Sequence, residues 1–185
     1  MRLFVAINFP ETLRQDLWSA IETLRASALP VRWVKAEAMH LTLKFLGAVA
    51  ADRHDQLADA LQHAARASRP VTVTVAELGA FPDARRPRVL WAGVSPEPGL
   101  ELLQHQVEQA FAPLGFPPEG RPFRPHLTLG RVERGARAAA FRDLEDLLGR
   151  VAFEQTVTID AVDLMRSTPT RGGSDYQTVS SGRLS

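Results

Sequence analysis

Hydrophobic and polar positions change period several times along the chain, and each change marks a new element. Leu3 to Phe9 is a mostly apolar run inside a segment, Arg2 to Phe9, that reads as a first strand. Pro10 and Glu11 end it and open a helical pattern in which Leu13, Leu17, Ile21 and Leu24 recur on one face. After Pro30 the spacing predicts strands over Val31 to Val34 and His40 to Gly47, then a helix carrying Leu57, Leu61 and Ala65. Val71 to Val75 alternates Val and Thr as a strand does, Pro82 to Pro87 is a loop with Arg85 and Arg86, and Val89 to Val94 is the next strand. A third helical stripe runs through Leu100, Leu103, Val107, Ala110, Phe111 and Leu114, closed by Gly115. The Pro-rich stretch Pro117 to Pro125 delivers the chain into a strand over His126 to Val132. A helix over Phe141, Leu144, Leu147 and Leu148 follows, then strands near Thr156 to Met165 and Tyr176 to Ser180 around a turn at Gly172 and Gly173. Several strand-to-strand steps are too short for parallel crossovers, so the pattern predicts an α+β fold with mainly antiparallel sheet.

With 185 residues, the chain is long enough for one large domain or two lobes sharing a core. It has no cysteine, which excludes disulfides, thiolate metal sites and thiol nucleophiles and suits a reducing compartment. The first strand has no cleavage pattern behind it, and no apolar run approaches a membrane span, so a cytoplasmic protein is expected. A monomer is the default expectation.

The net charge of +1 does not announce nucleic acid. Its distribution says more, because Arg121, Arg124, Arg131, Arg134, Arg137 and Arg142 share a stretch with a single acid, Glu133. A phosphate-bearing partner fits that stretch, although arginine supplies nearly all the positive charge here, Lys35 and Lys44 being the only lysines.

One internal repeat stands out: His40-Leu41-Thr42-Leu43 recurs as His126-Leu127-Thr128-Leu129, 86 residues later. A given second histidine would be followed by the same three residues in roughly one case in a thousand. Strand alternation puts each His and its Thr on one face and the leucines on the other. Two such strands about an approximate twofold would set two His/Thr pairs across a cleft. One neutral imidazole can accept a proton while a charged one donates, and the hydroxyls can hold non-bridging oxygens. Phosphodiester chemistry suits all four residues. His54, His63 and His105 lack the following Thr and lie in helical patterns, as surface residues do.

The chain resembles the two-histidine phosphoesterases, and within them the bacterial and archaeal RNA 2′,3′-cyclic phosphodiesterases long called 2′-5′ RNA ligases. The resemblance runs through Arg2–Ile7, Arg32-Trp33-Val34, His40–Gly47, Pro87–Trp91 and Phe123–Arg131. It implies a bilobal, pseudo-twofold fold whose sheets line a central cleft with helices outside. It also implies metal-independent opening of a 2′,3′-cyclic phosphate to a 2′-phosphate, with no cofactor. By the same resemblance His40 is the proton donor to the leaving 3′ oxygen, His126 the base that activates water, and Thr42 and Thr128 hold the phosphate. Arg131 matches an arginine expected near the phosphate, although strict alternation from His126 sets it on the leucine face unless a bulge near Gly130 re-aims it. Trp33, Phe45 and Tyr176 are candidates to stack on a base, with Phe45 on the leucine face by alternation.

The expected partners are RNA ends bearing a 2′,3′-cyclic phosphate or a 2′-5′ linkage, with tRNA halves and small cyclic nucleotides as candidates. The sequence has neither a Gly-x-x-x-x-Gly-Lys-Ser/Thr loop nor a Lys-x-Asp-Gly motif, so any 2′-5′ joining should be ATP-independent reversal of the hydrolysis. A non-catalytic RNA or nucleotide binding module using the same cleft is the alternative. A metal hydrolase is weaker, because neither motif sets a second ligand beside its histidine.

Overall fold

The computed structural model describes residues 1–185. In chain order the strands are β1 (Arg2–Ile7), β2 (Val31–Trp33), β3 (Leu41–Ala48), β4 (Val71–Phe81), β5 (Val89–Val94), β6 (His126–Val132), β7 (Glu154–Ile159), β8 (Ala161–Thr170) and β9 (Gly173–Arg183). The helices are α1 (Glu11–Ala20), α2 (Glu22–Ala26), α3 (His54–Arg66), α4 (Pro98–Phe111) and α5 (Leu144–Gly149), with short 3₁₀ turns between elements.

The strands form one sheet in the order β7-β4-β5-β6-β3-β1-β8-β9, with β2 added beside β6, and every neighbouring pair is antiparallel. The order is pseudo-symmetric about the β6/β3 seam, with four strands on each side. At that seam the ladder narrows to one pair, Leu41 opposite Leu127, the second residues of the two repeats. The expected lobes are thus two wings of one sheet joined at the repeated motif.

Helices cover one face. Buried Leu13, Leu17 and Leu24 come from α1 and α2, Leu57 and Leu61 from α3, and Leu100, Leu103, Val107 and Phe111 from α4. They meet Leu3, Val5 and Ile7 of β1, Leu41 and Leu43 of β3, and Leu127 and Leu129 of β6 in a single core of 37 buried residues. One core under both wings makes the chain one packing unit. The opposite face of β1 and β8 carries a separate small cluster, Phe4, Ala6 and Met165, against which Tyr176 packs.

Three expectations change. The predicted first helix divides at Ile21, whose φ −91° and ψ 11° break the α repeat. The strand predicted over Thr156 to Met165 is two strands, broken at Asp160, because β7 pairs with β4 at one edge of the sheet and β8 pairs with β1 in the other wing. The helix predicted over Phe141 to Leu148 is a 3₁₀ turn at Ala138–Phe141 followed by α5. Gly115 closes the third helical stripe in the left-handed conformation at φ 89°, where a side chain would be strained.

Candidate active site

Antiparallel register about the Leu41–Leu127 pair sets His40 beside Thr128 and Thr42 beside His126. The repeat therefore generates a two-by-two patch of imidazoles and hydroxyls on the face the helices leave open. The leucines between them are 0 % exposed at Leu41 and Leu127 and lock each strand to the core.

Each histidine is held by the same local device. His40 Nδ1 donates to the Ala38 carbonyl at 2.8 Å, and His126 Nδ1 donates to the Arg124 carbonyl at 2.7 Å. These bonds fix the neutral tautomer, with the proton on Nδ1 and the lone pair on Nε2. Aromatic rings hold the imidazoles from the side. Phe4 and Tyr176 lie 4.9 Å and 4.8 Å from His40, and Phe81 meets His126 edge-on at 5.1 Å.

Both strands bulge at the last residue of the repeat. Ala6 pairs with Thr42 and Val5 with Lys44, passing over Leu43; Trp91 pairs with Thr128 and Leu90 with Gly130, passing over Leu129. A bulge re-phases alternation, so the residue five positions after each histidine moves to the His/Thr face. On one strand that residue is Phe45, 73 % exposed with its ring 6.3 Å from Phe4. On the other it is Arg131, whose charge reaches both imidazoles. The expectation that Phe45 shares the leucine face is thus corrected, and Arg131 is re-aimed from Leu129 rather than from Gly130.

Trp33 does not join the patch. It pairs with Gly130, on the core side of β6, and packs against the core. Gly130 must lack a side chain there, because a Cβ would lie 2.4 Å from Val31 and 3.2 Å from Trp33. The proposed stacking role of Trp33 is therefore corrected to a structural one, while Tyr176 does stand at the site, beside His40. His54, His63 and His105 lie on α3 and α4, away from the patch.

Sequence reasoning missed four residues. Phe4 and Phe81 pack against the histidines, and Asn8 follows Ile7, which pairs with Leu41, so the register sets Asn8 beside His40. Asn8 donates to Asp163 at 2.6 Å, and Asp163 also accepts from the Ser181 hydroxyl, forming a part-buried polar row separated from Thr42 by β1, where Ala6 pairs with both Thr42 and Asp163. The alternation Phe4, Ala6, Asn8 against Leu3, Val5, Ile7 carried the signal for the β1 residues. Phe81 had none, because the part of β4 that follows Val75 lost its alternation.

Burial is the main cause that pushes His40 down to about 4, outweighing its Ala38 bond, with the Arg131 and His126 charges adding to the shift. His126 is also held below its usual value, by burial first and Arg131 second. Both imidazoles of the free protein are therefore neutral at pH 7. An acid/base pair needs one charged ring, so kcat/KM should peak below about pH 6.5 and fall about tenfold per unit above it. A bound anion attracts protons to both rings, so the kcat profile should lie at higher pH than that of kcat/KM. Rate measurements across the neutral range check this; coincident profiles with an alkaline optimum would contradict it.

A family profile described as the 2′-5′ RNA ligase superfamily matches residues 13–171. An RNA 2′,3′-cyclic phosphodiesterase of Methanothermobacter thermautotrophicus is 32 % identical over 187 residues, covering 100 % of this chain and 99 % of the relative. A protein of the same name from Aeropyrum pernix is 31 % identical over 170 residues, covering 88 % and 95 %. Among solved structures, TT0787 of Thermus thermophilus superposes with a TM-score of 0.82 at 26 % identity, covering 100 % of this chain and 98 % of that one. LigT of E. coli complexed with 3′-AMP gives 0.75 at 29 % identity, covering 99 % and 97 %. The paired motifs, their pseudo-twofold placement and these matches over nearly the full length agree: the chain belongs to the 2′-5′ RNA ligase superfamily.

Proposed function

We propose that the protein is an RNA 2′,3′-cyclic phosphodiesterase that opens the cyclic phosphate to a 2′-phosphate by two-histidine acid/base catalysis. The observation that carries this reading is the two-by-two patch: two imidazoles with free Nε2 atoms, two hydroxyls and Arg131 on one face. His126, entering from the loop 117–125, takes a proton from water as its oxygen attacks phosphorus. The bond from phosphorus to the 3′ oxygen breaks, and His40 supplies that oxygen with a proton. His40 suits the donor role because Phe4 and Tyr176 shield it from bulk water, whereas incoming water needs the more open side. Its proton arrives with the substrate's negative charge, which offsets the burial that keeps it neutral in the empty site.

Thr42 and Thr128 donate to the non-bridging oxygens, and Arg131 balances charge as it accumulates there. Phe45 and Tyr176 offer faces for the terminal base. This division follows from the bulges, which turn an aromatic ring to the cleft at one strand and a guanidinium at the other. RNA ends are the proposed substrates, and joining of 2′-5′ linked ends is the same reaction run backwards without ATP.

An oligoribonucleotide ending in a 2′,3′-cyclic phosphate, incubated with the protein in EDTA, tests the reading. The expected product is the 2′-phosphate alone, at an undiminished rate. A 3′-phosphate, or loss of activity in EDTA, would overturn the chemistry. RNA retained without turnover would make the patch a binding site.

A further inference from the structure

The end of the sheet to which β6 runs from the histidines is rich in unpaired arginines. Arg32 of β2 stands directly opposite Arg131 of β6 in the ladder. Like charges at such positions repel, and neither arginine pairs with a carboxylate. The hairpin between β4 and β5 lies at the same end, immediately after Phe81, the residue whose ring meets His126. Asp83 fixes this hairpin by accepting from the backbone N–H groups of Arg85 at 2.8 Å and Arg86 at 3.0 Å. With its carboxylate engaged by the backbone, the Arg85 and Arg86 side chains are left free. They line a cavity of about 370 Å³ with Phe141, Arg142 and Glu145, facing the 3₁₀ turn and α5 that follow β6. None of its three arginines is in an ion pair, and all three are exposed.

We propose that this cavity is a second anion site that holds a backbone phosphate of the RNA strand upstream of the cyclic end, so that the preferred substrate is an oligonucleotide rather than a cyclic mononucleotide. The inference rests on the function proposed above. The strand leaves the catalytic patch past Arg131 and Arg32 and reaches the Arg85, Arg86 and Arg142 cluster at the end of β6. Guanidinium forks suit phosphodiester oxygens, and three of them around one carboxylate keep a net positive charge there. Specificity for length then resides outside the residues that perform the reaction.

The test compares the parent with Arg85→Ala/Arg86→Ala/Arg142→Ala and with Arg85→Ala/Arg86→Ala, which leaves the side chains around α5 in place. Each is assayed with a ten-nucleotide RNA carrying a 2′,3′-cyclic end and with a cyclic mononucleotide. The triple variant should raise KM for the oligomer about tenfold while leaving mononucleotide kinetics unchanged. Binding of the same oligomer with an unreactive 3′-hydroxyl end should show a log–log salt slope flatter by about 2. Equal effects on both substrates, or none on either, would overturn the proposal. So would saturation of the site by inorganic phosphate with no competition from the oligomer, which would mark it as a free-anion site. If the parent turned over neither substrate, the reaction would fail as a reading, and the binding measurement would still decide on the cavity.

Discussion

His40→Ala should lower turnover of a 2′,3′-cyclic end by about 10²–10⁴-fold, and His126→Ala by a similar factor. The double variant should be little worse than either single one, because two groups serving one proton relay do not contribute additively. The leaving group separates their roles. An activated aryl phosphodiester expels its phenolate without needing a proton, so His40→Ala should recover most of its activity on that substrate, while His126→Ala should not. The reverse pattern would exchange donor and acceptor, and loss of binding in step with turnover would remove the catalytic reading of both. The hydrogen bonds to Ala38 and Arg124 predict little change in fold, since each belongs to the histidine that is removed.

Lys44→Ala or Glu108→Ala should each destabilise the protein by about 3–5 kcal/mol, because either change leaves an uncompensated charge in the core. Lys44 is 6 % exposed and Glu108 5 %. The lysine donates to the Glu108 carboxylate and to the Pro117 carbonyl at 2.9 Å. Glu108 in turn accepts from Gln104 at 3.1 Å and from the Glu119 backbone at 3.4 Å. For a chain of this size the loss corresponds to roughly 10 °C in melting temperature. Replacing both partners with apolar residues of similar volume should cost far less than either single change. Single variants that melt within a degree or two of the parent would show the pair to be energetically idle. The ion pair joins the strand of the first histidine to the loop that delivers the second, so activity should fall with stability in the single variants.

What the sequence disclosed and what it withheld have separate physical origins. The repeat, the helical stripes and the α+β class were legible because each depends on periodicity within a few residues, and the Leu41 and Leu127 environments follow from alternation alone. Bulges were not legible: nothing in the residues themselves marks Leu43 and Leu129 as passed over, and an alternation carried through them assigns Phe45 to the wrong face. Trp33 was illegible for a different reason. Its place depends on pairing with Gly130, almost a hundred residues away, and on the space that glycine leaves. Lys44 has the local setting of an ordinary surface charge, because its partner Glu108 sits on a distant helix turned toward the same core.

The matched bulges bear on regiochemistry. A catalytic frame with twofold symmetry is degenerate: a cyclic phosphate could enter in either of two directions, and each histidine could then serve either bridging oxygen. The imidazoles and hydroxyls repeat on both strands and differ only in their surroundings, Phe4 and Tyr176 at His40 against Phe81 at His126. The degeneracy is lifted five positions further along, where one strand presents Phe45 and the other Arg131. An aromatic face and a cation favour opposite ends of a nucleotide, so in the proposed reaction these two residues act with the packing around His40 to select the side on which the ring opens.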